Sequence, residues 1–139
     1  PLARALMEGG VNVVEVTLRT ENALQVIEKM SKVENLVVGV GTLLNRQDVE
    51  NAVKAGAEFG VSPGVTDDLV LACEEEGLPL LGGVSSVSEV MTMFNRGYDF
   101  MKFFPPSKEL GDQVKRVTKI WFDSDLTMGR KELLAHLDK

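Results

Sequence analysis

The sequence predicts an α/β protein of the (β/α) TIM-barrel type, incomplete, with about five clear βα units. Short β-rich runs alternate with helical stretches, and strand centres recur about every 20–24 residues, roughly one strand plus one helix. Such repetition makes a parallel sheet covered by helices. No Gly-x-Gly-x-x-Gly follows the first strand, so the competing doubly wound dinucleotide fold loses ground. Polar residues gather at the C-terminal ends of several strands, where barrel enzymes keep their chemistry.

The elements follow in order. The opening residues read as the tail of a helix closed by Gly9-Gly10. With no Met at the start, the chain is expected to be a fragment or to lack an upstream strand. Strands are expected at Val11–Leu18, Leu36–Val40, Ala57–Ser62, Leu78–Leu81 and Asp99–Phe104. Between them a helix runs from about Thr20 to Lys32, with Ala23, Leu24, Ile27 and Met30 along one face. Asn45 caps a second helix, and Thr66 a third that Gly77 stops. Ser86 or Ser88 opens a fourth, ended by Gly97. Residues 1–106 form the partial barrel, and 107–139 a divergent C-terminal tail of the same domain. In that tail Gln113–Trp121 reads as a helix running into a strand, and Arg130–Leu137 as a short helix.

Composition narrows the functions. The chain has 139 residues, enough for one domain, and a net charge of −6. An acidic surface argues against a nucleic-acid groove, but a small anionic substrate needs only a local pocket. No apolar run approaches the roughly 20 residues a membrane helix needs. The lone Cys73 cannot form an internal disulfide, which fits a reducing cytoplasm. Acidic neighbours would raise its pKa, and it is expected to be inert. No His/Cys/Asp array has metal spacing, so no metal is expected.

Two residues carry the sharpest chemistry. In the first strand, alternation puts Val13, Glu15, Thr17 and Arg19 on one face and Val14, Val16 and Leu18 on the other. The aliphatic face suits helices, and the mixed face suits a barrel interior. A carboxylate there serves as an acid–base group or as a structural ion pair with Arg19. Lys102 sits in Phe100-Met101-Lys102-Phe103-Phe104-Pro105, an apolar setting unusual for lysine. Burial lowers a lysine pKa and frees the amine to attack a ketone, forming a Schiff base. The alternative is a lysine whose head snorkels to water at a strand end. Gly39-Val40-Gly41-Thr42 and Ser62-Pro63-Gly64 would let a substrate approach the backbone, or are ordinary βα turns. Gly82-Gly83-Val84-Ser85 resembles a phosphate nest, with a plain glycine turn as the default.

Taken together, Glu15-Val16-Thr17-Leu18-Arg19-Thr20, Gly39-Val40-Gly41-Thr42, Ser62-Pro63-Gly64 and Lys102-Phe103-Phe104-Pro105 resemble, in order and spacing, the 2-keto-3-deoxy-6-phosphogluconate (KDPG) and 4-hydroxy-2-oxoglutarate aldolases. The resemblance covers about residues 1 to 106. It implies a class I aldolase that cleaves KDPG to pyruvate and glyceraldehyde 3-phosphate, or acts on a similar 2-keto acid. Lys102 would form the imine and Glu15 would move protons. Arg19 and Thr42 would hold the pyruvate carboxylate and nearby polar groups, while Pro63 and Phe104 shape the pocket wall. It further implies a homo-oligomer, typically a trimer, and no cofactor. The family's Thr-Gly-Gly phosphate loop has only a faint echo at Leu126-Thr127-Met128-Gly129. Two other readings stand beside this one: a catalytically impaired truncated barrel kept as a folding or assembly module, and a phosphate-binding isomerase with no covalent step.

Overall fold

A computed structural model describes residues 2–104 of the chain, and expectations for the tail from Ser107 onward lie outside them. Ten elements follow in strict alternation: α1 (Leu2–Glu8), β1 (Val13–Thr17), α2 (Ala23–Met30), β2 (Val37–Gly41), α3 (Arg46–Lys54), β3 (Phe59–Val61), α4 (Asp67–Glu76), β4 (Leu80–Val84), α5 (Val87–Asn95) and β5 (Met101–Phe103). The five strands pair in chain order, all parallel, in the arrangement β1-β2-β3-β4-β5. Each βα unit therefore adds its strand beside the last, as in barrel-type folds.

The predicted alternation of β1 holds. Val14, Val16 and Leu18 pack against the core beneath the helices. On the same face Val38 and Val40 of β2 are fully buried, with Leu80 and Val84 of β4 nearly so. Ile27, Met30, Val49, Ala52, Leu69, Val70, Cys73 and Met93 meet them from α2 to α5. This helix side holds most of the apolar surface removed from water, the main favourable contribution to folding.

Local chemistry sets the helix ends. The Asn45 side chain accepts the Asp48 N–H at 3.0 Å, and Thr66 accepts the Leu69 N–H at 3.3 Å, so both predicted caps form. Gly77 takes φ +65°, while the Leu78 N–H donates to Cys73 O at 2.8 Å, closing α4 in a left-handed turn. Arg46 of α3 pairs with Asp68 and Glu75, and Arg96 after α5 pairs with Asp67 and Glu74. Each arginine spans carboxylates seven residues apart, so α4 is tied to both neighbours. None of the described helices is long and apolar enough to cross a membrane.

Several boundaries differ from the sequence reading, two of them with consequences for packing. The helix expected from Thr20 starts at Ala23, because residues 18–22 form turns and Asn22 makes no side-chain cap. The fourth strand is shifted to Leu80–Val84, because Leu78 is used to close α4. Gly82-Gly83 is consequently strand, not turn. A side chain on Gly82 would meet Val65 and Met93, and one on Gly83 would collide with the Pro63 backbone. These are close approaches that glycine alone permits within a strand.

Of the two serines considered for α5, Ser86 is the cap. Its side chain accepts the Glu89 N–H at 3.3 Å, and Glu89 reaches back to the Ser86 N–H at 2.9 Å. The Glu89 carboxylate also accepts the Ser85 N–H at 2.7 Å and the Ser85 hydroxyl at 3.1 Å. The suspected phosphate nest thus already holds an anion of the chain itself. The Ser85 N–H above all holds the Glu89 carboxyl below its ordinary 4.5. A depressed folded pKa stabilises above the unfolded value and is lost as pH falls through the folded one. Glu89→Gln is therefore expected to lower the urea midpoint at neutral pH, with the gap to wild type closing as pH falls through 4.5 and below. A gap independent of pH would contradict this role.

Candidate active site

The strand register fixes which side chains share a face. Glu15 pairs with Gly39, which pairs with Phe59. One pleat further on, Thr17, Gly41, Val61 and Leu81 are in line. Gly83, two residues beyond Leu81, pairs with Lys102. Side chains alternate strictly along each strand, so Glu15 and Lys102 lie on the same face of the sheet. That face is the more open one. Val13 and Glu15 are exposed, as is Leu81 at 37%, whereas Val38 and Val40 opposite are sealed.

Glycines make room on this face. A methyl group on Gly41 would collide with the Glu15 carboxylate, and one on Gly39 with the Phe59 ring. The Glu15 side chain therefore lies across β2 over Gly41. The glycine-rich run expected to admit a substrate admits this carboxylate first. The signal was legible as two glycines at i and i+2, one row of a strand.

Lys102 is half-buried in the centre of β5. Its aromatic neighbours do not enclose it as the sequence suggested. Phe100 is 81% exposed, Phe103 51% and Phe104 48%. The fifth strand is only three residues long, and Phe100 and Phe104 fall outside it.

Arg19 is not brought to Glu15 as an ion-pair partner. No salt bridge joins the two among the described residues. The reason is local: β1 ends at Thr17, and the Arg19 N–H donates to Thr17 O at 2.8 Å in a tight three-residue turn. Alternation stops before Arg19, which is exposed.

Thr42 follows β2 with φ +65°, a left-handed conformation that is rare for a β-branched residue. Its neighbours hold it there. Gly41 O accepts the Leu18 N–H at 2.9 Å, and the Leu43 N–H donates to Val61 O at 3.1 Å, with Leu43 wholly buried. Strain of this kind concentrates at functional sites. Pro63 is half-buried and lines a cavity of 240 Å³ with Leu43, Gly64, Thr66 and Leu69. Neither Glu15 nor Lys102 lines that cavity.

Cys73 lies on the helix side, away from this face. Cys73 is buried within α4, and burial, with Glu74 adding, pushes its thiol up to about 11. The rise expected from acidic neighbours is present, but burial in the core is its larger cause. Among the described residues, no group of three or more His, Cys, Asp or Glu is placed to hold a metal ion.

Parallel βα units with a lysine and a carboxylate on one open face have the architecture of barrel proteins that work at strand ends. Known proteins narrow the class. The family model for KDPG and KHG aldolases matches residues 1–121. The KHG/KDPG aldolase of Escherichia coli K12 is 47% identical over 106 residues, 76% of this chain and 50% of that protein. The 2-keto-3-deoxy-6-phosphogluconate aldolase of Zymomonas mobilis ZM4, solved with 3-phosphoglycerate, superposes with a TM-score of 0.73 at 42% identity, covering 87% of this chain and 58% of that one. A KDPG aldolase from Legionella pneumophila, solved with pyruvate captured at low pH as a covalent carbinolamine, superposes with a TM-score of 0.71 at 42% identity, covering 76% and 52%. The chain belongs to the KDPG and KHG aldolase family. It spans about half the length of the curated relatives it matches.

The strain at Thr42 makes a prediction about stability. Left-handed backbone costs a β-branched residue about 1–3 kcal/mol, and glycine's extra freedom when unfolded returns about 0.5–1 kcal/mol of that. Thr42→Gly is expected to raise unfolding stability by about 1 kcal/mol in urea titration. A fall of similar size would show that the Thr42 side chain contributes more than its backbone costs.

Proposed function

We propose that this chain carries the imine-forming site of a class I aldolase acting on KDPG or a closely similar 2-keto acid. The observation that supports it most is the shared open face of Glu15 and Lys102, with Gly39 and Gly41 of β2 between the outer strands. Barrel closure would strengthen the pairing. From Glu15 to Thr17 is two residues and from Leu81 to Gly83 two more, so Lys102 lies four residues further along, over four strand steps. An eight-stranded barrel of shear eight shifts level by about one residue per strand, the amount that brings the two residues level.

In this reading the Lys102 amine attacks the C2 ketone and gives a carbinolamine, which loses water to form a protonated imine. Glu15 removes the proton of the C4 hydroxyl. The C3–C4 bond breaks, its electron pair flows toward the imine nitrogen, and the aldehyde leaves. The resulting enamine takes a proton at C3 from Glu15. Water then hydrolyses the imine, releasing pyruvate and the free lysine. Arg19 and Thr42, at the ends of β1 and β2, are assigned to the carboxylate and neighbouring oxygens of the keto acid. Pro63 and Phe104 are assigned to the pocket wall. The family resemblance supports a homo-oligomer, a trimer by type, and the single buried cysteine supports a cytoplasmic setting.

Borohydride reduction with pyruvate tests the site directly. The expected result is a stable adduct on Lys102 by intact mass and peptide mapping, abolished in Lys102→Met. Folded protein that traps no pyruvate would exclude imine chemistry and leave the reading of a truncated barrel retained as a folding or assembly module.

A further inference from the structure

We propose that Ser62 is a positioning residue for Lys102, an inference that rests on the aldolase reading. Ser62 is the only buried polar or charged residue among the described residues, at 1% exposure. Burying a hydroxyl is costly unless it is hydrogen-bonded. Here the Ser62 Oγ accepts the N–H of Gly83 at 3.4 Å. Gly83 is in turn the register partner of Lys102 in the β4–β5 ladder. Ser62, one residue past β3, is thus linked through Gly83 to the strand that carries Lys102.

The side chain acts where the backbone ladder runs out. The Gly60 N–H donates to Pro79 O and the Ser62 N–H to Leu81 O, two regular parallel rungs. The next donor of that series would be Gly64, and it makes no backbone hydrogen bond among the described residues. At this level the chain also crosses close over β4, since any side chain on Gly83 would strike the Ser62 and Pro63 backbone. The Gly83 N–H turns to the serine side chain in place of a carbonyl. One hydroxyl therefore pins the C-terminal ends of β3 and β4 together beside the strand that carries the lysine. Ser62 is buried and its hydroxyl is engaged by the Gly83 N–H, so it acts through Gly83.

The test compares trapping rates of pyruvate on Lys102 at increasing pyruvate concentration, with urea unfolding as the control for folding. Ser62→Ala is expected to slow trapping about tenfold at saturating pyruvate, the effect of losing one buried hydrogen bond at the reacting geometry. The pyruvate concentration for half-maximal rate should be unchanged. Ser62→Thr, which keeps an acceptor oxygen, should restore the rate. Wild-type rate in a folded Ser62→Ala protein would overturn the proposal. Where Ser62→Ala does not fold, Ser62→Cys replaces it: sulfur accepts weakly, so trapping slower than in Ser62→Thr is expected, and equal rates overturn the proposal. If wild type itself traps no pyruvate, the aldolase reading fails and this role falls with it.

Discussion

The arrangement depends on one close contact, the Glu15 carboxylate lying over Gly41. A strand in the middle of a parallel sheet normally carries side chains along both faces, and beyond Val37 β2 does not. Its helix side bears Val38 and Val40, fully buried. Its other side bears Gly39 and Gly41, whose missing side chains are replaced by the Phe59 ring and the Glu15 carboxylate. Glycine weakens a strand, and two glycines in five residues are a cost that cohesion alone does not explain. The cost makes sense if the face is kept clear for a carboxylate that must reach across the sheet.

Stability and chemistry are accordingly divided between the two faces. The helix side holds the apolar core, and α4 is fastened to α3 and α5 by Arg46 and Arg96. These pairs are largely exposed, so they orient helices more than they stabilise the fold. The site side holds the left-handed Thr42, the glycine pair of β2, and the close crossing of Pro63 over Gly83. A rigid helix side is what allows such strained strand ends to persist.

Much of this was legible in the sequence because it depends on local rules. Alternation gave the two faces of β1, and side-chain chemistry gave the Asn45 and Thr66 caps and the Gly77 stop. What escaped was non-local. Gly82-Gly83 reads as a turn until the close approach of the Pro63 backbone is known. The link from Glu15 to Arg19 assumed that β1 continues past Thr17, and a three-residue turn ends it. The apolar flanks of Lys102 suggested enclosure, yet Phe100, Phe103 and Phe104 are exposed, because residue type alone does not say which neighbours cover a short strand. The left-handed turn at Thr42 had no sequence signal, since threonine is among the residues least suited to it.

The most direct test of the account is exchange of the pyruvate methyl protons with D₂O, followed by NMR. Forming and reversing the enamine requires both the Lys102 imine and a carboxylate in reach of C3. In Gly41→Ala the added methyl displaces the Glu15 carboxylate while leaving Lys102 untouched. The account predicts that wild type exchanges the methyl protons, and that Gly41→Ala still traps pyruvate with borohydride but exchanges at least about tenfold more slowly. Exchange at the wild-type rate in folded Gly41→Ala would contradict the claim that the glycine row exists to place Glu15.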